Sequence, residues 1–411
     1  MTDEKEWTLI RIILVISLIP VILFTLFEAS TYMPLWIAIL CLFSLATIAS
    51  LYLYPLTCAW KKLPIGLLMS ASVINIFLLT PELVLRAVDF RFQSGIQFGY
   101  PNPADFVAYI PDKQLFWRLP ASDPNVNSLG FPGEEIAITK PEDTFRILFL
   151  GDSCTQQGFP DYVEAFLNAN EPQYTKHMES ITLAISGYSS YQGVVLSELY
   201  GSVLAPDLVV VYYGWNDHWQ AYGTIDSEKT AELSENWWSE VPNFLYRYSR
   251  ILQMLNKVLT TTLSPASDKP SNEYRVPLNQ YEENLLHIHQ LFQKINTPVI
   301  FITAPTAHYQ LGVPDYLVDR NFVADKQRAI DIHKQYNQSV RDIAHENDIP
   351  VLDLESRFKV MKDPQSIFWD DGIHFTDHGL ALVAKHITEF IESKKLLVQS
   401  PTRQARLSMP K

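Results

Sequence analysis

The chain has 411 residues, with 32 Lys and Arg against 45 Asp and Glu, and a net charge of −13. That acidic balance offers no overall basic field for nucleic acid, and a hydrophobic content of 47% excludes wholesale disorder. Three cysteines, Cys41, Cys58 and Cys154, make neither a disulfide framework nor a CxxC metal motif. The charged fraction, 19%, falls below the roughly 25% usual in soluble domains.

The apolar excess lies at the N-terminal end. One run covers Ile12 to Phe27, extended upstream by Leu9 and Ile10. A second lies in the uncharged stretch from Ala29 to Trp60, and a third runs from Leu63 to Pro81. About 20 apolar residues cross a hydrocarbon core of ~30 Å, so residues 1–88 are expected to form a membrane anchor of three transmembrane helices. Pro20 would end a soluble helix but is tolerated in lipid. A cleavable leader is the rival reading of the first run, yet no small-x-small site follows it. Lys5 and Arg11 precede the first run, Lys61 and Lys62 separate the second and third, and the turn between the first two holds neither Lys nor Arg. By the positive-inside rule the N-terminus is inside and everything after the third run is extracytoplasmic. Arg86 and Arg91 pull weakly the other way.

Residues 89–140, rich in Pro, Asn, Gly and aromatics, read as a juxtamembrane connector. Beyond Pro141 short apolar runs appear at Phe145–Leu150, Ile181–Ile185, Leu208–Tyr213, Val299–Thr303 and Val351–Asp353. Continuous runs of this length fit strands buried on both faces. Helical periodicity fills the gaps, as at Tyr281–Ile295, Asp325–Glu346 and Asp377–Glu392, where Leu380, Val383, Ala384, Ile387, Phe390 and Ile391 form one stripe. Strand alternating with helix predicts an α/β domain over 141–395: a three-layer α/β/α sandwich around a parallel five-stranded sheet. In such sheets the site lies outside the carboxyl ends of the strands.

The residues that follow the strands carry chemistry. Gly151-Asp152-Ser153 follows the first, placing a serine at a strand-to-helix turn. Ser186-Gly187 follows the second, where glycine can present its N–H to a substrate oxygen without steric interference. Gly214-Trp215-Asn216-Asp217 follows the third, and the Asn216 amide is a neutral donor suited to an oxyanion hole. Asp371-Gly372-Ile373-His374 precedes the last helix, so His374 can deprotonate Ser153 while Asp371 orients the imidazole. Each piece is weak alone; their fixed order at matching positions is a strong signal.

These blocks resemble those of the SGNH (GDSL-type) hydrolase superfamily. The resemblance implies Ser153 as nucleophile, Asp371 and His374 as the rest of a triad, and Ser153, Gly187 and Asn216 as the oxyanion hole. It extends to Asn127-Ser128-Leu129-Gly130-Phe131, similar to a lead-in of membrane-anchored bacterial members, and to Arg275-Val276-Pro277 with Tyr281 and Asn284-Leu285. Pro132 stands where that lead-in usually has Arg. Gln157 makes the turn before Gly158 one residue longer than usual.

Trp215, Asp217, His218 and Trp219 flank the third motif and are the candidates for substrate binding, against a packing role for each. Cys154 is expected to pack. His374 and His378 are four apart, but no HExxH is present, so neither a metal nor another cofactor is expected. Residues 220–274 form an insertion whose stripe of Phe244, Tyr248, Ile251, Leu252, Leu255, Val258 and Leu259 is expected to make a lid or core-covering helix, with membrane contact as the alternative. Residues 396–411 read as a basic tail. The expected function is a membrane-anchored serine esterase that forms an acyl-serine. Its expected partners are the lipid bilayer and an O-acylated extracytoplasmic glycan, with no nucleic acid. A lipid ester, acyl transfer, and a catalytically silent glycan-binding or assembly subunit are the alternatives.

Overall fold

A computed structural model describes residues 80–88, 109–169, 176–229, 249–263 and 270–397, save 89, 122, 223 and 320, together with 77 and 90. The chain divides into two compact units, 1–94 with 235–263, and 95–234 with 264–411.

Among the described residues the larger unit holds nine strands: β1 (Ile110–Asp112), β2 (Phe116–Arg118), β3 (Thr144–Gly151), β4 (His177–Ala184), β5 (Leu208–Tyr212), β6 (Gln220–Tyr222), β7 (Pro270–Tyr274), β8 (Val299–Ile302) and β9 (Val351–Leu352). Five of them form one sheet in the order β4-β3-β5-β8-β9, every pair parallel. All five expected strands are found, and the sheet is the parallel one that their two-faced apolar runs require. The order reverses between β3 and β5, the topological switch point at which sheets of this kind bind ligands.

Strand periodicity sorts the core onto two sides. Phe145, Ile147 and Phe149 of β3 face Val163 and Leu167 of the helix Phe159–Ala169 and Val383 and Ile387 of the helix Asp377–Ser393. Leu148 and Leu150 face the other way, toward Leu196, Ile288 and Phe292, and Ile343, from the helices Ser190–Tyr200, Leu278–Lys294 and Lys326–Glu346. Each such side chain, fully buried, contributes roughly 1.5–3 kcal/mol before chain entropy is counted. The result is the expected three-layer sandwich.

Three expectations need revision. The connector 89–140 belongs in part to the hydrolase unit: β1 and β2 pair antiparallel, and Leu115, Phe116, Trp117 and Phe131 are buried in the core. Three-residue strands are too short to leave a readable period in a sequence. The insertion is split: β6 and β7 close its base as an antiparallel pair, while residues 235–263 fall in the other unit. There the helix Arg250–Leu263 begins against the helix Thr80–Ala87, because buried Glu82 accepts the backbone N–H of Arg250 (2.9 Å) and Ile251 (3.0 Å). An acidic side chain at a helix N-terminus satisfies donors that have no partner within the helix. Finally, the basic tail starts later than expected, since Leu396 and Leu397 pack on the core.

The three expected spans lie outside the described residues, save the last positions of the third run. Among the described residues no helix is long and apolar enough to cross a membrane.

Candidate active site

β3 ends at Gly151, where an added Cβ would meet the Thr155 hydroxyl at 2.0 Å. Only glycine lets the strand turn so tightly into the short helix Ser153–Gln156. Asp152 caps that helix, its carboxylate accepting the N–H of Cys154 at 2.9 Å. Ser153 at its first position is half-buried, and so its hydroxyl remains reachable.

The loop before the last helix comes to meet it. His374 Nε2 lies 2.8 Å from Ser153 Oγ, and its Nδ1 lies 2.5 Å from Asp371 Oδ2. The second carboxylate oxygen of Asp371 accepts the N–H groups of Ile373 and His374. Burial works against charge on both members of the pair. Their hydrogen bond and mutual attraction outweigh it, holding His374 above its usual 6.5 and Asp371 below its usual 3.8, with the charge of Asp152 adding to the first effect.

Three contacts fix this loop. Gly372, at φ +69°, has its carbonyl held by the N–H of Ala307 (2.9 Å) and the hydroxyl of Thr306 (3.0 Å). The Asp371 carbonyl accepts from His308 Nε2 at 2.7 Å. Gln157, the extra residue of the nucleophile turn, donates to the Phe375 carbonyl (3.1 Å) and accepts the Phe375 N–H (2.9 Å). The departure from the usual turn length is therefore a clamp between serine turn and histidine loop.

The other two motifs also follow β4 and β5 at the carboxyl edge. Gly187 has φ +86°, a conformation glycine adopts at no steric cost. Asn216 is buried. Its Oδ1 accepts from Trp219 Nε1 at 3.1 Å, and its Nδ2 lies 3.5 Å from Asp152 Oδ2. Indole can only donate, so the Asn216 oxygen must face Trp219 and its NH₂ must face the serine side. Burial pushes Asp152 up to about 7.

The four expected substrate-binding residues are all buried; one polar atom each of Asp217, His218 and Trp219 bonds within the fold, while Trp215 Nε1, Asp217 Oδ2 and His218 Nδ1 have no hydrogen-bond partner among the described residues. Asp217 accepts the N–H of Ser190 at the start of a helix, and burial raises it to about 6. His218 Nε2 lies 3.0 Å from His333 Nδ1 in a hydrogen bond, and burial drives His218 down to about 3. Trp215 stacks on His333 with centroids 4.0 Å apart, and Trp219 orients Asn216. These residues form a wall behind the oxyanion motif rather than an exposed platform. Sequence periodicity could not separate the two roles, because an aromatic beside a motif suits either. Cys154 packs as expected; burial holds its thiol well above the usual range, which leaves it a poor nucleophile.

Several residues of the site left no local signal. Gln156 Oε1 accepts both the N–H (2.6 Å) and the hydroxyl (3.0 Å) of Ser186. Trp117 Nε1 donates to the Ser186 carbonyl at 3.1 Å. Arg275 is fully buried and donates to the Gly187 carbonyl at 2.7 Å, while its other nitrogens hold Asp226 at 2.8 and 3.3 Å. Burial opposes charge on Asp226, but Arg275 and Lys229 outweigh it and keep the carboxyl below its usual range. Trp369, 56% exposed, sits on the histidine loop with its backbone N–H on the His374 carbonyl at 2.8 Å. Among the described residues no group of three His, Cys, Asp or Glu could hold a metal. A half-buried serine on a histidine on a carboxylate can carry out nucleophilic acyl chemistry without one.

The chain is similar to several known proteins. The GDSL esterase/lipase CPRD49 of Arabidopsis thaliana is 24% identical over 226 residues, spanning 54% of this chain and 79% of that protein. Among solved structures, a lipase/acylhydrolase from Enterococcus faecalis matches with a TM-score of 0.38 at 17% identity, covering 61% of this chain and 96% of that one. An acetyl xylan esterase from Geobacillus stearothermophilus matches with a TM-score of 0.38 at 18% identity, covering 60% and 94%. The family profile of the GDSL-like lipases and acylhydrolases matches residues 149–382, which hold every residue of the serine, glycine, asparagine and histidine motifs. The chain belongs to that GDSL-like lipase/acylhydrolase family and is an ester-hydrolysing enzyme.

Proposed function

We propose that the protein is a membrane-anchored O-acyl esterase that works through an acyl-Ser153 intermediate on an extracytoplasmic glycan. The observation that carries the mechanism is the 2.8 Å contact of His374 Nε2 with Ser153 Oγ, continued to Asp371 at 2.5 Å. As Ser153 Oγ attacks the ester carbonyl, its proton passes to His374 Nε2. Asp371 holds the Nδ1–H and stabilises the imidazolium. The oxygen that becomes negative takes hydrogen bonds from the N–H groups of Gly187 and Ser153 and from the Asn216 amide. Collapse expels the alcohol, which recovers the proton from His374. Water, activated by the same imidazole, then releases the acid.

Two features support the substrate class. The three apolar runs and their flanking lysines and arginines argue for an enzyme held beside envelope polymers. The exposed indole of Trp369, on the loop that carries Asp371 and His374, offers an apolar face of the kind that stacks on a sugar ring.

A fluorophosphonate probe tests the nucleophile. The wild-type protein and Cys154→Ala should be labelled at residue 153, and Ser153→Ala should be unlabelled with kcat lower by several orders of magnitude, because triad members act as a unit. Labelling at Cys154, or wild-type turnover by Ser153→Ala, contradicts the assignment.

The pH profile tests the base. His374 must be neutral to accept the serine proton, so kcat/KM falls as pH drops through its pKa. That acidic limb should have its midpoint above 6.5, because the Asp371 partnership raises the imidazole. Asp371→Asn should move the limb to lower pH as well as slow the reaction. A wild-type midpoint below 6.5 contradicts this geometry.

Reporter fusions after residue 393 test the location. Alkaline phosphatase should be active there and green fluorescent protein dark. The opposite pattern overturns both the topology and the envelope glycan.

A further inference from the structure

The oxyanion reading of Gly187 raises a question of aim, because a backbone N–H has no rotamer of its own. Its direction is set entirely by the peptide plane that carries it. The Ser186–Gly187 peptide is trans, so its carbonyl and its N–H point in opposite directions across one rigid plane. Whatever holds the Ser186 carbonyl therefore aims the Gly187 N–H.

That carbonyl is held by Trp117. Its indole Nε1–H donates to Ser186 O at 3.1 Å from β2, and Trp117 is itself fully buried. The backbone carbonyl of Trp117 in turn accepts the Tyr188 hydroxyl at 2.7 Å, which locks the strand to the far side of the same loop. The next carbonyl, Gly187 O, accepts Arg275 Nη1 at 2.7 Å. Asp226 keeps that guanidinium in place from the other side, and the guanidinium lies over the Trp117 ring at 5.9 Å. On the preceding residue, the Ser186 N–H is taken by Gln156.

The Ser186 N–H and the carbonyls of Ser186 and Gly187 are thus engaged, and the Gly187 N–H is not. Among the described residues no acceptor lies within hydrogen-bond distance of the Gly187 N–H, although the residue is buried. Buried N–H groups without a partner are rare. One whose two flanking carbonyls are both gripped by donor-only side chains is a donor held ready for an anion.

Arg275 reaches the second donor as well. Its backbone N–H donates to Trp219 O at 2.8 Å, and Trp219 is the residue that orients the Asn216 amide. We propose that Trp117 and Arg275 are positioning residues of the oxyanion hole: they fix the peptide planes on either side of Gly187 so that its N–H meets the developing oxyanion. Trp117 lies outside the stretch matched by the family profile, so the β1–β2 hairpin is on this view part of the catalytic unit and not a spacer. The proposal rests on the acyl-Ser153 reading given above.

Kinetics of the full-length protein with p-nitrophenyl acetate test it, each rate being normalised to active sites titrated with the fluorophosphonate. Trp117→Phe keeps the ring and removes the N–H. It should lower kcat roughly tenfold or more, short of the 10²–10³ for losing an oxyanion donor outright. KM should stay within about twofold of wild type, since the ground-state carbonyl gains little from the hole. The affinity for a phenylboronic acid, which forms a tetrahedral adduct on the serine, should fall by a similar factor. The midpoint of the acidic limb should not move, because the triad is untouched. Arg275→Lys should retain more kcat than Arg275→Met, by preserving a cation for Asp226 and a donor for Gly187. If Arg275→Met fails to fold, Trp117→Phe still decides the matter. A folded, fully titratable Trp117→Phe with wild-type kcat overturns the proposal. So does a loss that arrives with a shifted acidic limb, which would place the damage in the triad. A wild-type protein that shows no acylation burst removes the Ser153 reading and this proposal with it, a result distinct from any difference between variants.

Discussion

A 2.8 Å contact between Ser153 Oγ and His374 Nε2 joins residues 221 positions apart, and the surroundings of the site are arranged to keep it. A nucleophile and base displaced by even 1 Å can lose about 10²-fold in rate. The serine is fixed by β3, by a strand end with no room for a Cβ, and by the Asp152 cap. The histidine is fixed by the last helix, whose Gly379 leaves only 2.0 Å between an added Cβ and the Ile367 carbonyl. Gln157 then bridges the two directly through the backbone of Phe375. The core supplies the remaining rigidity: β3 lies between β4 and β5 and is buried along its whole length.

Around this contact, side-chain N–H donors hold carbonyl and amide oxygens. Trp117 and Arg275 grip the carbonyls beside Gly187, Trp219 grips the amide oxygen of Asn216, and His308 grips the carbonyl of Asp371. Each pairing satisfies a polar group that would be costly to leave buried and unbonded. Each also leaves a single direction open for the group that must act. Burial lowers His218 and raises the Cys154 thiol, which makes the first a weak base and the second a poor nucleophile beside His374 and Ser153.

The sheet was legible because strands buried on both faces carry apolar runs: β5 and β8 do throughout, β3 does save for Arg146, and the edge strand β4 does only in its second half. The last helix was legible from its stripe, and the meeting of Ser153, His374 and Asp371 from one motif just after β3 and another just before that helix. Contacts between distant segments were not legible. Trp117 meets Ser186 across 69 positions and Arg275 meets Gly187 across 88, and no local period records either pairing. Gln157 could be read only as one residue too many, because its use is visible only once Phe375 stands beside it. Trp215 and His218 misled for the opposite reason. Their place after β5 suits a ligand wall, yet a ring pressed against His333 leaves the same trace in sequence.

The central claim is that Ser153 carries the acyl group between the two halves of the reaction. Rapid quenching of the full-length enzyme with p-nitrophenyl acetate, followed by peptide mass spectrometry, tests it most directly. An acetyl mass is expected on the peptide containing Ser153, confined to that residue, appearing within the burst and decaying as substrate is exhausted. An acetyl group on another residue, or turnover with no covalent adduct at any quench time, would contradict it.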